Sequence, residues 1–209
     1  GVNLGRYRPE NAKRGLRESL GIQPGQKLIL SVGRLNLRKG FDQVIRVLPK
    51  LAGRGVDVHY AIVGTGEGLE SLKSLAVEMG VPERVHFLGA VSDESLPGWY
   101  YACDVFAMPN REINGDTEGF GMVFLEAAAC GKPSIAGEAG GTGAAVLHGV
   151  TGLRVDGASP ERVEQAMEKL LSDDALRAKL GQAGLERARA LFDWDMVAQK
   201  TAAIVAELG

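Results

Sequence analysis

Cysteine, histidine and aromatic residues are scarce in this chain of 209 residues, and neither charge sign dominates. The two cysteines, Cys103 and Cys130, form no CxxC pair, which excludes a disulfide scaffold and a thiolate zinc site and suggests a reducing compartment. The three histidines, His59, His86 and His148, stand alone, so no histidine-based metal cluster is expected. His59 and His86 fall inside strand-like runs, where a structural role is expected. No segment approaches the ~20 consecutive apolar residues of a membrane span, and no signal peptide is seen, so direct membrane insertion is not expected. Lys and Arg number 24 against 26 Asp and Glu, a net charge of −2 that gives no electrostatic basis for binding nucleic acid or an anionic membrane surface.

What is present is ordinary globular composition with one outlier. Hydrophobic residues make up 45% and charged residues 24%, which excludes disorder. The length allows one domain or a little more. Glycine is over-represented: 29 of the 209 residues, about twice the usual share of ~7%. These glycines punctuate the ends of apolar segments. The runs Leu28 to Val32, Val58 to Val63, Val85 to Leu88, Val105 to Met108 and Pro133 to Ala136 each end at or beside a Gly or Pro. Continuous apolar runs of this kind suit parallel strands covered on both faces.

Between the runs, apolar residues recur at helical spacing: Val44, Val47, Leu48 and Leu51; then Leu69, Leu72, Leu75, Ala76 and Met79; then Leu96 to Ala102; then Phe120 to Cys130, with Gly131 and Pro133 as stop signals. Two further faces follow, Val163, Met167, Leu170 and Leu171, and Trp194, Val197, Ala198, Thr201, Val205 and Leu208. Strand–helix alternation predicts an α/β fold with an open parallel sheet and helices on both faces. In such sheets ligands lie outside the carboxyl ends of the strands, where these glycine-bearing loops fall.

The segment Glu118-Gly-Phe-Gly-Met-Val-Phe-Leu-Glu126 is the most informative. A helix start at Gly119 to Gly121 offers unpaired amides and a positive dipole end, an anion site. Glu126 leans back toward that mouth, and Glu118 lies just ahead of it. Carboxylates accept hydrogen bonds from sugar hydroxyls and repel phosphate. A consistent ligand therefore carries phosphates in its middle and hydroxyl-rich groups on both sides, as a nucleotide sugar does, with ribose at one carboxylate and the transferred sugar at the other. Countercharge is expected from Gly33-Arg34 after the first strand and Lys39-Gly40 before the next helix. The bland alternative, a solvated basic loop with Arg38 as its third member, weakens once Arg34 and Lys39 share an edge with the two glutamates. Glu138 lies on the same rim, either as a ligand contact or as a solvated loop acid. Other motifs are weak. Gly64-Thr-Gly66-Glu-Gly68 lacks the last glycine of GxGxxG, no P-loop or GxSxG elbow is present, and Asp193-Trp-Asp195 is better explained by a helix start.

Ser31-Val-Gly-Arg-Leu with Lys39-Gly-Phe, Ile62-Val-Gly-Thr-Gly, Val85-His-Phe-Leu-Gly, Ala102-Cys-Asp-Val and the Glu118–Pro133 segment together resemble the successive motifs of family 4 retaining glycosyltransferases. The resemblance implies one Rossmann-like half of a GT-B fold, the C-terminal, donor-binding half. It implies that residues 1–9 are an interdomain connector, 10–191 the nucleotide-sugar-binding domain, and 192–209 a helix crossing back toward an N-terminal acceptor domain not contained in this chain. The chain is thus expected to be a fragment, inactive alone, of a cytoplasmic enzyme that meets the inner face of the membrane, if at all, through that other domain. Arg34 and Lys39 would bind the donor diphosphate beside Gly33, Glu118 would touch the transferred sugar, and Glu126 the ribose. The backbone of Gly119, Phe120, Gly121, Met122 and Val123 would meet sugar and phosphate, and Val91 and Leu96 would line the base pocket. Arg34, Lys39 and Glu118 are the expected catalytic residues. No cofactor and no metal are required, and the donor is expected to be a UDP- or GDP-sugar. The run Gly140-Gly-Thr-Gly-Ala-Ala departs from the family's usual Gly-Gly-x-Pro-Glu, so no contact is assigned to it. A sugar-nucleotide epimerase or phosphorylase half, or a non-catalytic nucleotide-sugar-binding module, are the alternatives.

Overall fold

The computed structural model describes residues 1–208; Gly209, part of the expected C-terminal helix, lies outside the described residues, as do the side chains of Asn11, Glu207 and Leu208. Six strands form one parallel sheet: β1 (Lys27–Val32), β2 (Val58–Val63), β3 (Val85–Gly89), β4 (Val105–Met108), β5 (Ser134–Gly137) and β6 (Gly152–Val155). Their spatial order is β3-β2-β1-β4-β5-β6. Five of these match the apolar runs. The sixth, β6, was not expected: it is only four residues long, is bounded by glycine-containing turns and carries Arg154. The sheet is Rossmann-like.

That order sets the location of the site. The chain runs outward from β1 in one direction, then returns to start again at β4 on its other side. The loops after β1 and β4 therefore diverge to opposite faces and leave a crevice between them at the carboxyl edge.

The helices are α1 (Leu16–Ser19), α2 (Phe41–Gly53), α3 (Leu69–Glu78), α4 (Leu96–Ala102), α5 (Met122–Ala129), α6 (Pro160–Ser172), α7 (Asp174–Arg187) and α8 (Trp194–Leu208). Strand residues alternate between two apolar layers because successive side chains point to opposite faces. Ile29, Tyr60, Ile62 and Ala107 join Val44, Leu48, Leu51, Met167 and Leu170 on one side. Leu28, Leu30, Phe106 and Met108 join Tyr100, Phe124, Leu125 and Ala127 on the other. The buried Ser31 is satisfied: it accepts from Tyr60 Oη at 2.7 Å and donates to the Ala107 carbonyl. Ser159 caps α6 by accepting from Arg162 N at 3.3 Å. Helix α7 separates the two tail helices expected from the sequence and ends in a π-helical turn at Ala188–Phe192. The N-terminal segment lies beside that turn: Val2 N donates to Phe192 O at 2.6 Å, and Trp194 N to Val2 O at 3.3 Å. Both cysteines are buried, and burial pushes the Cys103 thiol up to about 12, so it stays protonated.

His59 and His86 form a stacked pair near the amino ends of β2 and β3, far along the strands from the loops discussed below. Arg84 donates to His59 Nε2 at 2.9 Å, which leaves the ring proton on Nδ1 to be donated to His86 Nε2 at 3.0 Å. Burial lowers the pKa of both rings, and the Arg84 charge lowers that of His59 further. A depressed histidine pKa means that the unfolded chain binds more protons at low pH. The stabilisation is complete above the ordinary value of about 6.5 and fades as pH falls through the lowered folded values. Urea unfolding is expected to show lower stability at about pH 5 than at about pH 7.5, with a smaller difference in the His59→Gln/His86→Gln double variant.

Candidate functional site at the carboxyl edge of the sheet

The loop after β1 (33–40) and the loop after β4 (109–121) meet across the crevice through ions. Glu118, in the second loop, accepts from Lys39 Nζ at 2.5 Å and from Arg38 Nη1 at 2.8 Å, both in the first. Arg38 Nε also lies 2.9 Å from Asp116 Oδ2. The Lys39 and Glu118 side chains are each only 12% exposed, so the pair is poorly screened. The two loops are tied a second time by Arg111, whose guanidinium forks onto both oxygens of Asp42, the second residue of α2, at 3.0 and 2.8 Å. Arg111 N donates to Arg38 O at 2.9 Å, so side chain and backbone hold one alignment.

Helix α5 starts at Met122, later than the expected start at Gly119 to Gly121. Gly121 is its N-cap in the left-handed region (φ 78°), a conformation in which an added Cβ would sit 2.5 Å from the Phe124 ring. The left-handed turn swings residues 118–120 out of the helical path. In the first turn of α5, Phe124 N donates to Gly121 O at 3.0 Å, whereas the amides of Met122 and Val123 have no intrahelical acceptor and remain directed at the crevice.

The segment 118–119 is backed by the loop after β5. Gly141 N donates to Glu118 O at 3.0 Å. That loop is set by the fully buried Asn110, which accepts from Gly137 N at 3.0 Å and donates to Ala139 O at 2.8 Å, while Thr142 Oγ1 donates to Gly137 O at 2.6 Å. Gly141 and Thr142 of this loop thus serve the backbone under Glu118.

Glu126, one turn into α5, is half-buried and faces different partners. It accepts from Tyr100 Oη, at the end of a fully buried side chain on α4, at 2.6 Å. The Tyr100 ring lies edge-on to that of Tyr7, 5.8 Å between centroids. Burial and then the Glu126 charge push both phenols far above their ordinary range, so both remain protonated.

Of the expected site residues, Gly33, Lys39, Glu118 and Gly121 are brought together: Lys39 Cε is 3.7 Å from where a Gly33 Cβ would lie, and Glu118 Cγ 3.7 Å from that of Gly121. Arg34 is not in that cluster. Its side chain is 75% exposed and lies 3.6 Å from Glu67, across a hollow of about 590 Å³ lined by Gly33, Gly64 to Gly66 and Ala90. Val91, Leu96, Phe120 and Val123 are half-buried against the apolar layer on the α4–α5 side. Phe120 stacks edge-on with Phe192 at 5.7 Å. Met122 is exposed and Gly119 has open space above it. Glu138 is exposed on the rim, and its carbonyl accepts from Arg154 Nη2 at 3.0 Å. Arg38 is only 18% exposed and in contact with Glu118, so the solvated-loop alternative does not hold for it. Asp42, Arg111, Asn110 and Tyr100 were missed. Asp42 in the first turn of a helix looks like a dipole partner, and nothing in spacing pairs it with a residue so far along the chain. Among the described residues no cluster of three His, Cys, Asp or Glu could hold a metal, and no helix is long and apolar enough to cross a membrane.

An open parallel sheet whose switch-point loops gather cations, carboxylates and helix amides is the Rossmann-like half found in GT-B structures. Residues 12–187 match the model of the glycosyl transferases group 1, and the chain belongs to that family. It is 42% identical, over 97% of its own length and 53% of the relative's, to the GDP-mannose-dependent alpha-(1-6)-phosphatidylinositol monomannoside mannosyltransferase of Mycobacterium tuberculosis. It is 36% identical to the D-inositol 3-phosphate glycosyltransferase of Xylanimonas cellulosilytica over 95% of this chain and 48% of that one. Among solved structures, Anabaena HepE in complex with UDP superposes with a TM-score of 0.87 at 26% identity, over 99% of this chain and 56% of the other. The chain spans about half the length of the curated relatives it matches.

A Cβ at Gly137 would lie 1.6 Å from the Asn110 carbonyl oxygen. Gly137→Ala is expected to displace the loop behind Glu118 and lower stability by about 1–3 kcal/mol, measured by urea unfolding.

Proposed function

We propose that this chain is the donor-binding half of a retaining family 4 glycosyltransferase that moves a hexose from a nucleoside-diphosphate sugar to an acceptor hydroxyl. The observation that carries the reading is the convergence of Lys39 and Arg38 on Glu118, beside the N-terminus of α5 and at the switch point of the sheet. Cations at this place serve a diphosphate, and a carboxylate between them and the helix mouth serves sugar hydroxyls.

In this reading Lys39 and the first-turn amides of α5 hold the diphosphate, and Arg34 swings from Glu67 to join them. As the glycosidic C–O bond breaks, negative charge grows on the β-phosphate oxygen, and these groups stabilise it. Glu118 then exchanges its cation contacts for hydroxyls of the transferred sugar and holds the ring in a reactive pose. Glu126 accepts from the ribose hydroxyls, and Leu88 to Val91 with Leu96 flank the base. The positive charge comes from the protein, so the leaving group needs no metal. The GDP-mannose dependence named for the mannosyltransferase relative favours a guanosine donor and mannose as the sugar, with UDP as the competing choice.

Residues 1–9 act as the connector and 192–209 as the helix returning to an acceptor half; the pairing of Val2 with Phe192 and Trp194 supports this division. The enzyme would work in the cytoplasm, peripheral to the inner membrane face through that other half. The mannosyltransferase relatives are named for phosphatidylinositol mannoside acceptors, and a polyol headgroup of that class is the acceptor we favour.

Isothermal titration of the 209-residue chain with GDP, UDP and ADP checks this, with GDP expected to bind best. No heat with any of the three up to millimolar concentration rejects it. Lys39→Ala is expected to weaken binding about tenfold or more, the loss of one charge-assisted phosphate contact of roughly 1.5–3 kcal/mol. Unchanged affinity removes Lys39 from the site.

A further inference from the structure

The site just proposed uses Glu126, yet its carboxylate is held by a residue to which that reading gives no donor contact. Tyr100 is fully buried in α4 and donates to Glu126 Oε2 at 2.6 Å. This leaves Oε1 and the remaining lone pair of Oε2 available to other donors. Behind Tyr100 stands Tyr7, 4% exposed, its ring edge-on to Tyr100 and its hydroxyl without a hydrogen-bond partner among the described residues. That hydroxyl nonetheless lies close enough to the Glu126 carboxylate for the glutamate to raise its pKa, so ring packing against Tyr100 and the pull of the carboxylate act together on Tyr7. The segment that carries Tyr7 is fastened on both sides. Tyr101 Oη donates to Tyr7 O at 2.8 Å, Arg6 pairs with Asp93 at 2.9 Å, and Val2 is bonded to Phe192.

We infer that Tyr100 and Tyr7 are positioning residues for ribose recognition: Tyr100 fixes the rotamer of the Glu126 carboxylate, and Tyr7, from the N-terminal segment, buttresses Tyr100. The inference rests on the ribose role proposed for Glu126. A carboxylate pinned by one phenol donor presents its other lone pairs in a fixed direction, so two vicinal hydroxyls are met without loss of side-chain freedom on binding. It also makes the segment before α1 part of the nucleotide site. A displacement of residues 1–9 would reach Glu126 through two rings packed edge-on.

The test compares GDP with 2′,3′-dideoxy-GDP by calorimetry on the wild-type chain, Tyr100→Phe and Tyr7→Leu. The wild type is expected to favour GDP by about tenfold or more, one good charge-assisted contact. Tyr100→Phe keeps the ring and its packing and loses only the donor. It is expected to cut the GDP preference several-fold while leaving dideoxy-GDP affinity unchanged, and Tyr7→Leu should do the same to a smaller degree. A merely structural role would weaken both ligands alike and keep their ratio, and that result overturns the inference. So does a Tyr100→Phe variant with the wild-type preference. A wild type that binds both nucleotides equally overturns the ribose role of Glu126 and this inference with it, whereas a wild type that binds neither rejects the donor-site reading as a whole.

Discussion

One carboxylate, that of Glu118, is shared by two cations from another loop, and the architecture of the crevice follows from that contact. Withdrawing Lys39 and Arg38 from water is costly unless an anion meets them. Glu118 meets both, so the loops after β1 and β4 are drawn together although they leave the sheet toward opposite faces. The Arg111–Asp42 fork performs the same service between the same segments, at similarly low exposure. The two ion pairs differ in geometry. A bidentate guanidinium–carboxylate pair is directional and resists exchange, whereas an ammonium is a point charge that can turn to a new partner. The first therefore reads as a fixed hinge pin and the second as an exchangeable contact.

Exchange at Lys39 is central to the proposed chemistry. A diphosphate approaching the crevice competes with Glu118 for Lys39 and Arg38, and Glu118, once displaced, needs hydrogen-bond donors of its own. Sugar hydroxyls supply them. A nucleotide alone offers the cations their anion but gives Glu118 no such partner. An intact nucleotide sugar satisfies both halves of the exchange at once. In the proposed chemistry, the same contact that closes the loops would make the site selective for a ligand with phosphate and polyol in adjacent positions.

Much of this was legible in the residues, and the reasons for the gaps are physical. Strands buried on both faces read as apolar runs, which is why β1 to β5 could be placed; β6, a short edge strand carrying Arg154, has no such run. The glycine-flanked Glu118–Glu126 segment pointed to the candidate site because both a left-handed cap and an anion-facing helix start need glycine there. Periodicity could not show that the cap falls at Gly121 itself, since glycine at 119 and at 121 suit a helix start equally well in sequence. Arg38 looked solvated because adjacent basic residues usually are. Its burial depends on Asp116 and Glu118, which the fold brings from a distant part of the chain. Long-range pairs such as Arg111 with Asp42, and Tyr100 with Glu126, leave no local trace for the same reason.

The two glutamates illustrate how one residue type is given two tasks by its surroundings. Glu118 sits in a loop among cations, on a backbone propped by Gly141 and the Asn110–Gly137 network, and is free to exchange partners because ionic contacts are weakly directional. Glu126 sits on a helix, meets a neutral phenol, and is fixed by a directional hydrogen bond inside an aromatic layer. A transferred sugar must be allowed to move as its bond to phosphate breaks, whereas a nucleoside must stay put to anchor the leaving group. A carboxylate held by exchangeable charges suits the first demand, and one held by a buried donor suits the second. Reversing the two environments would grip the moving part of the ligand and loosen the fixed one, so the difference between them is a functional requirement of the proposed transfer and not an accident of packing.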